Sequence, residues 1–207
     1  MKTKKQILEV SRVLFNEKGV MNVTLRDVAK SMKRSYGNIT YHYPTKEDVI
    51  TSLFEEMNNE LTSLQSPHDS SNLMLYLLEL PKFSFDITVK YVFFTLDYNE
   101  LKRNYSKFFT KVNSLNEQRR KKWKLLLIHL RDEGFLKVEL NNDDLDFIMF
   151  LSVSVRGAYF QLTENGSFSK TEYASILNQM LKPYLCTKGL SVLNSWLASQ
   201  YYIFSRL

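Results

Sequence analysis

The stretch Thr24-Leu25-Arg26-Asp27-Val28-Ala29-Lys30-Ser31-Met32-Lys33-Arg34-Ser35-Tyr36-Gly37-Asn38-Ile39-Thr40-Tyr41-His42-Tyr43-Pro44 reads as two short helices joined by a tight turn. Thr24 suits an N-cap, and Asp27 three residues on has capping-box spacing. Leu25, Val28, Ala29 and Met32 fall on one face of the first helix, and Ala29 is small enough for a second helix to approach. That second helix runs over about residues 35–43 and is closed by Pro44. Ile39 and Tyr43, with Tyr41 alongside, anchor it. Tyr36, Asn38, Thr40 and His42 offer donors and acceptors to base edges and phosphates, and Gly37 lets the backbone come close. Arg26 and Lys46 flank the unit and suit phosphates, Arg26 also a guanine edge. The spacing predicts a helix-turn-helix.

Working outward, residues 4–18 form an amphipathic helix with Ile7, Leu8, Val10, Ser11, Leu14 and Phe15 inward, stopped by Gly19. Thr45 and Asp48 repeat the cap signature and open a fourth helix, with Val49, Ile50, Leu53, Phe54, Met57, Leu61 and Leu64 on one face. Periodicity is lost in the polar, proline-containing residues 65–72. Beyond them the spacing predicts helices at about 72–80, 84–97, 101–132, 142–164, 169–186 and 189–205. Breaks are expected near Pro81, Gly134, 141–142, 165–166 and 188–189. The expectation is an all-α protein: a three-helix DNA-binding domain over 1–50, then a larger helical bundle over 51–207 for ligand binding and dimerisation, linked by the helix at about 46–64.

Composition agrees with a globular chain: of 207 residues, 44% are hydrophobic and 24% charged. One cysteine, Cys186, excludes an internal disulfide and any multi-thiolate metal site. No uninterrupted apolar run approaches a membrane span, and Glu9 and Arg12 interrupt any signal-peptide core. A cytoplasmic protein without a membrane partner is expected. Residues 1–50 hold 10 Lys/Arg against 5 Asp/Glu, whereas residues 51–207 hold 18 against 17. The basic excess lies where the reading helices lie, pointing to nucleic acid.

Two strings sharpen this reading. Thr24-Leu25-Arg26-Asp27-Val28-Ala29-Lys30, followed by residues 37–50, resembles the N-terminal domain of the tetracycline-repressor (TetR) family of bacterial transcriptional regulators. Tyr41-His42-Tyr43 matches its aromatic-His-aromatic stretch, and Thr45-Lys46-Glu47 its next helix start. The resemblance covers about residues 3–55; the remainder matches only as an all-helical regulatory domain. It implies that Arg26, Tyr36, Gly37, Asn38, Thr40 and His42 read bases, while Thr24, Ser35, Tyr41 and Lys46 hold the backbone. It also implies a palindromic double-stranded operator, a homodimer, repression and a small-molecule effector. Two positions depart from the family: Lys33 replaces a glycine in the turn, and Thr40 replaces an aromatic. A non-glycine residue held left-handed costs about 1–2 kcal/mol, so a strained or reshaped turn is expected.

Residues 76–109 are dense in Phe and Tyr, as a small-molecule cavity requires. Tyr91, Phe94, Tyr98, Phe108, Trp123 and Phe150 are the expected wall for an apolar or aromatic effector, with Arg103, Asn104 and Gln161 as polar anchors. Its signal would pass through the helix at 46–64. The expected dimer stripe is Leu145, Ile148, Ser152, Val155, Tyr159 and Leu162, with Tyr173, Ile176, Leu177, Met180 and Tyr184 from the next helix. His42, His68 and His129 lack companions for a metal or catalytic site. Asp143, Asp144 and Asp146 suit a helix start, where carboxylates favour the macrodipole. The run Arg119–Lys124 suits a solvated helix face. No Walker, Rossmann or nucleophile-elbow motif occurs, so neither cofactor nor catalysis is expected. The competing reading is a helical adaptor that keeps the fold without reading DNA.

Overall fold

The structure is a computed structural model and describes residues 2–64, 73–163 and 167–204. The described helices are α1 Lys2–Lys18, α2 Leu25–Ser31, α3 Tyr36–His42, α4 Lys46–Thr62, α5 Leu73–Lys90, α6 Phe93–Leu96, α7 Tyr98–Asn104, α8 Ser106–Asp132, α9 Asn142–Leu162, α10 Lys170–Gln179 and α11 Thr187–Phe204. No strand occurs among the described residues, so the protein is all-α. His68 lies outside the described residues.

The chain divides into two compact units, each with its own core. The first comprises Met1–Ser63 and Ile87–Leu115, the second Leu64–Asp86 and Asn116–Leu207. The sequence suggested a boundary at 50. The structure instead adds all of α4 and a distant segment to the first unit, for a physical reason. Tyr91, Phe93, Phe94, Phe108 and Phe109 are buried there with Phe15 and Phe54. Phe54 meets Phe94 and Phe108 edge-on at 5.5 and 5.4 Å between centroids, a favoured aromatic geometry. The rings of segment 87–115 share one buried cluster with α1–α4.

The second core joins Met74, Leu77 and Leu78 of α5, Leu127 and Leu130 of α8, Leu145 and Ile148 of α9, and Trp196 of α11, among others. The expected break at Pro81 does not occur, because α5 runs straight through it. Proline removes one N–H and crowds the preceding turn. Here Asn178 Nδ2 donates to the Leu78 carbonyl at 2.7 Å, and Ser84 Oγ to those of Leu80 and Pro81 at 2.9 and 3.2 Å. These side chains bond carbonyls at Pro81 and just before it. The predicted helix at 84–97 is divided between the end of α5 and α6. At the start of α9, Asn141 and Asp144 form a capping box. Asp146 pairs with Lys124 at 3.0 Å and Arg120 at 3.2 Å, which places two cations of the 119–124 run.

Candidate nucleic-acid interface

Short-range hydrogen bonds set up α2 and α3. Thr24 Oγ accepts from the Asp27 N–H at 3.2 Å, and Asp27 Oδ2 accepts from the Thr24 N–H at 2.8 Å. The Thr24 hydroxyl, which also donates to Asp27 Oδ2 at 2.6 Å, and then the Thr24 N–H hold the Asp27 carboxyl below its ordinary pKa. Ser35 Oγ accepts from the Asn38 N–H at 3.2 Å and fixes the start of α3. Ile39 and Tyr43, both almost fully buried, root α3 in the first core.

The turn between α2 and α3 is a Schellman motif: the Arg34 N–H bonds the Ala29 carbonyl at 2.9 Å, and the Lys33 N–H that of Lys30 at 3.1 Å. Lys33 occupies the position glycine prefers, with φ 52°. The turn keeps its shape and carries the strain. Lys33→Gly should therefore raise stability by roughly 1 kcal/mol, the left-handed penalty being partly offset by glycine's greater backbone entropy. A denaturant midpoint that moves up at unchanged slope checks this; a lower midpoint would refute it.

On this scaffold Thr24, Arg26, Ser35, Tyr36, Gly37 and Tyr41 are exposed, and Asn38, Thr40 and His42 half-buried. Tyr41 is 83% exposed, the Arg26 guanidinium stacks 5.4 Å from the Tyr36 ring, and Thr40 Oγ donates to the Tyr36 carbonyl at 3.2 Å. Asn38 Oδ1 is covered and makes no hydrogen bond, an uncompensated acceptor inside the reading helix. A surface groove of about 400 Å³ between Thr24, Arg26, Tyr36 and Thr45 borders the set.

Lys46 departs from its expected role. Its Nζ turns inward to donate to the Val20 carbonyl at 2.5 Å and lies 6.0 Å from the ring centroids of Phe15 and Tyr105. Burial lowers its pKa, opposed by Asp97 and Asp27. The hydrophobic stem and one good acceptor hold the ammonium at the core edge. Lys46→Ala should thus lower stability by about 1–3 kcal/mol, through the unpaired Val20 carbonyl, while the salt slope of DNA binding stays the same. A slope flatter by about one unit would restore the phosphate contact.

Several residues that the sequence did not single out tie this head to segment 87–115. Asp97 accepts from the Val20 N–H at 2.6 Å, and Glu47 from the Phe108 N–H at 2.9 Å. Arg12 and Asn16 both donate to the Lys90 carbonyl, at 3.0 and 2.9 Å. Glu60 accepts from Tyr91 Oη and Lys90 Nζ, both at 2.7 Å. These links join residues up to 78 positions apart, beyond the reach of periodicity.

The residues of the expected effector wall are divided between the two units. Tyr91, Phe94 and Phe108 fill the first core, and Tyr98, Arg103 and Asn104 are exposed in the same unit. Trp123, Phe150 and Gln161 belong to the second unit, with Phe150 69% exposed. Phe94 and Phe108 instead face each other and Phe54 within that core. The dimer stripe also needs correction. Leu145, Ile148, Tyr159, Tyr173 and Leu177 are buried within their own unit, and Ser152, Val155, Met180 and Tyr184 are half-buried. Leu162 and Ile176 are exposed.

Residues 7–53 match the family model described as bacterial regulatory proteins, tetR family. The chain is 25% identical over 191 residues to the biofilm operon icaADBC HTH-type negative transcriptional regulator IcaR of Staphylococcus aureus (strain Newman), covering 86% of this chain and 99% of that one. A TetR-family transcriptional regulator from Marinobacter aquaeolei VT8 shares the fold, with TM-score 0.80, 24% identity and coverage of 97% and 99%. So does a putative transcriptional regulator from Saccharomonospora viridis solved in complex with choline, with TM-score 0.64, 17% identity and coverage of 87% and 96%.

Proposed function

We propose that this TetR-family DNA-binding transcriptional regulator is a cytoplasmic repressor that grips a palindromic operator as a homodimer and releases it when a small molecule binds. The observation that carries the reading is α3: a helix rooted by Ile39 and Tyr43 whose other face presents Tyr36, Asn38, Thr40 and His42. Its likeness to a negative regulator supports repression. Asn38 reads a base by turning its amide outward, which relieves the covered Oδ1, and an amide pairs two-fold with adenine. Selection from a random duplex library tests this. Asn38→Ala or Tyr36→Ala should cost roughly 1–3 kcal/mol on the selected operator and relax preference at one base pair. Equal affinity of the native protein for operator and random duplex would leave the adaptor reading in its place.

One reading head grips too little DNA, so two half-sites about 34–36 Å apart, or a multiple, are needed. The outward face of α9 suits the partner copy. Phe147, Phe150, Val153 and Leu162 are 53, 69, 70 and 79% exposed, and Ile176 of α10 is also exposed. α9 is long and apolar enough to cross a membrane, by length and composition only. Its opposite face, Leu145, Ile148 and Phe160, is already packed in its own unit, so a second copy is the fitting cover.

For release, α5 and α8 matter as much as α4, because each has one end in either unit. A ligand in the second unit shifts those helices, and the bonds from Asp97, Arg12, Asn16 and Glu47 pass the shift to the head. A tenfold drop in operator affinity needs only about 1.4 kcal/mol of preference for the released conformation. The choline-bound neighbour supports a fold that accommodates small molecules.

A further inference from the structure

Arg156 is the only basic residue of α9 and sits half-buried in the second unit. Its hydrogen bonds all go to neutral hydroxyls. Nη1 donates to Tyr173 Oη at 3.2 Å and to Ser84 Oγ at 3.4 Å, while Nε donates to Ser152 Oγ at 3.4 Å. A guanidinium on a carboxylate makes bonds of about 2.7–2.9 Å, often two in parallel. Here the three bonds are long, and Nη2 makes none among the described residues. Two nearby acids are engaged elsewhere, Asp86 with Lys170 at 2.5 Å and Glu172 with Tyr159 Oη at 3.3 Å.

Tyr173 completes the picture. Its side chain is 1% exposed, its hydroxyl oxygen accepts from Arg156, and its own proton has no acceptor among the described residues. The hydroxyl of Ser84, by contrast, is directed to the carbonyls of Leu80 and Pro81. Around the pair stand rings: Phe85, Tyr159 and Phe160 lie 5.4, 5.1 and 5.3 Å from Tyr173. A cation among rings without a counter-ion costs stability. Two donors without an acceptor, beside an apolar wall, define what is missing.

We infer that Arg156 and the Tyr173 hydroxyl anchor a carboxylate carried on an apolar body, and that this is the chemical class of the effector. The inference rests on the proposed release by a small molecule. The carboxylate bridges Nη1 and Nη2 in the fork geometry that arginine presents, and takes the Tyr173 proton as a third bond. A phosphate fits less well, because a dianion would keep one charge uncompensated beside a single cation.

The test uses the full-length protein and two probes, decanoate and 2-naphthoate, each against its primary amide. Without ligand, Arg156→Met should melt roughly 2–4 °C above the native protein, since an unpaired charge is removed. At least one carboxylate should raise the native melting temperature while its amide does not. That rise should vanish in Arg156→Met and shrink in Tyr173→Phe, which keeps the ring. A lower-melting Arg156→Met would make the guanidinium a structural staple and overturn the inference. So would an equal rise in that variant, or no rise in the native protein. Operator binding measured with the same probes separates the two readings. A carboxylate that raises the melting temperature but leaves operator bound refutes the effector role and keeps the anion site. A neutral compound that releases operator where no carboxylate binds refutes the site and keeps the effector role.

Discussion

Replacing Phe150 by Asp should give a folded monomer whose preference for its operator over random duplex falls by about 10³-fold or more, the lower end of what specific binding supplies. Phe150 is 69% exposed, so its own unit loses little; surface changes usually stay within about 0.5 kcal/mol. In the proposed dimer the partner copy loses an aromatic anchor and meets a carboxylate that must be stripped of water. The companion change Leu145→Ala tells the two faces of α9 apart. Leu145 is 0% exposed in the second core, so truncation should lower stability by about 2–5 kcal/mol. Light scattering at micromolar concentration and binding to a two-half-site duplex are the measurements. A Phe150→Asp protein that remains dimeric would remove the outward face of α9 from the interface.

The two faces of α9 show where the sequence stops being legible. Leu145, Ile148 and Tyr159 recur at helical spacing, and so do Phe147, Phe150 and Ser154; nothing local says which row looks inward. That choice is made by Leu77, Leu127 and Trp196, which are distant in sequence. Caps behave differently. The pairs Thr24–Asp27, Thr45–Asp48 and Asn141–Asp144 close over three residues, so spacing alone locates the starts of α2, α4 and α9. Tyr36, Gly37, Asn38, Thr40 and His42 come together for the same reason, being carried on one short helix. Lys46 is not, because its orientation depends on the Val20 carbonyl and on Asp97. Pro81 shows the converse failure: a strong local breaker is overruled by Asn178, nearly a hundred residues away.

Tyr91, Phe93, Phe94, Phe108 and Phe109 belong to the first core, and their placement makes a sharp expectation about the head. A fragment ending at Ser63 contains the helix-turn-helix, both of its capping boxes and all of α4. It should nevertheless fail to fold cooperatively. Phe15 stacks edge-on against Phe93 at 5.3 Å, and Phe54 against Phe94 and Phe108; the fragment exposes these faces to water. Fully burying one such side chain contributes about 1.5–3 kcal/mol, so losing several partners exceeds the stability of a typical small domain. Chains near 60 residues are marginal even with complete cores. The Val20 loop loses Asp97 as well, leaving its N–H without that acceptor. Helical circular dichroism and its thermal transition decide the matter. A sigmoidal melt near that of the full chain would mean that α1–α4 form a self-sufficient core, and that segment 87–115 only rests against it. A broad, non-cooperative loss of signal is the outcome the shared aromatic core requires. On that outcome α1–α4 are stable only while segment 87–115 holds them, so whatever moves that segment acts on α1–α4 directly.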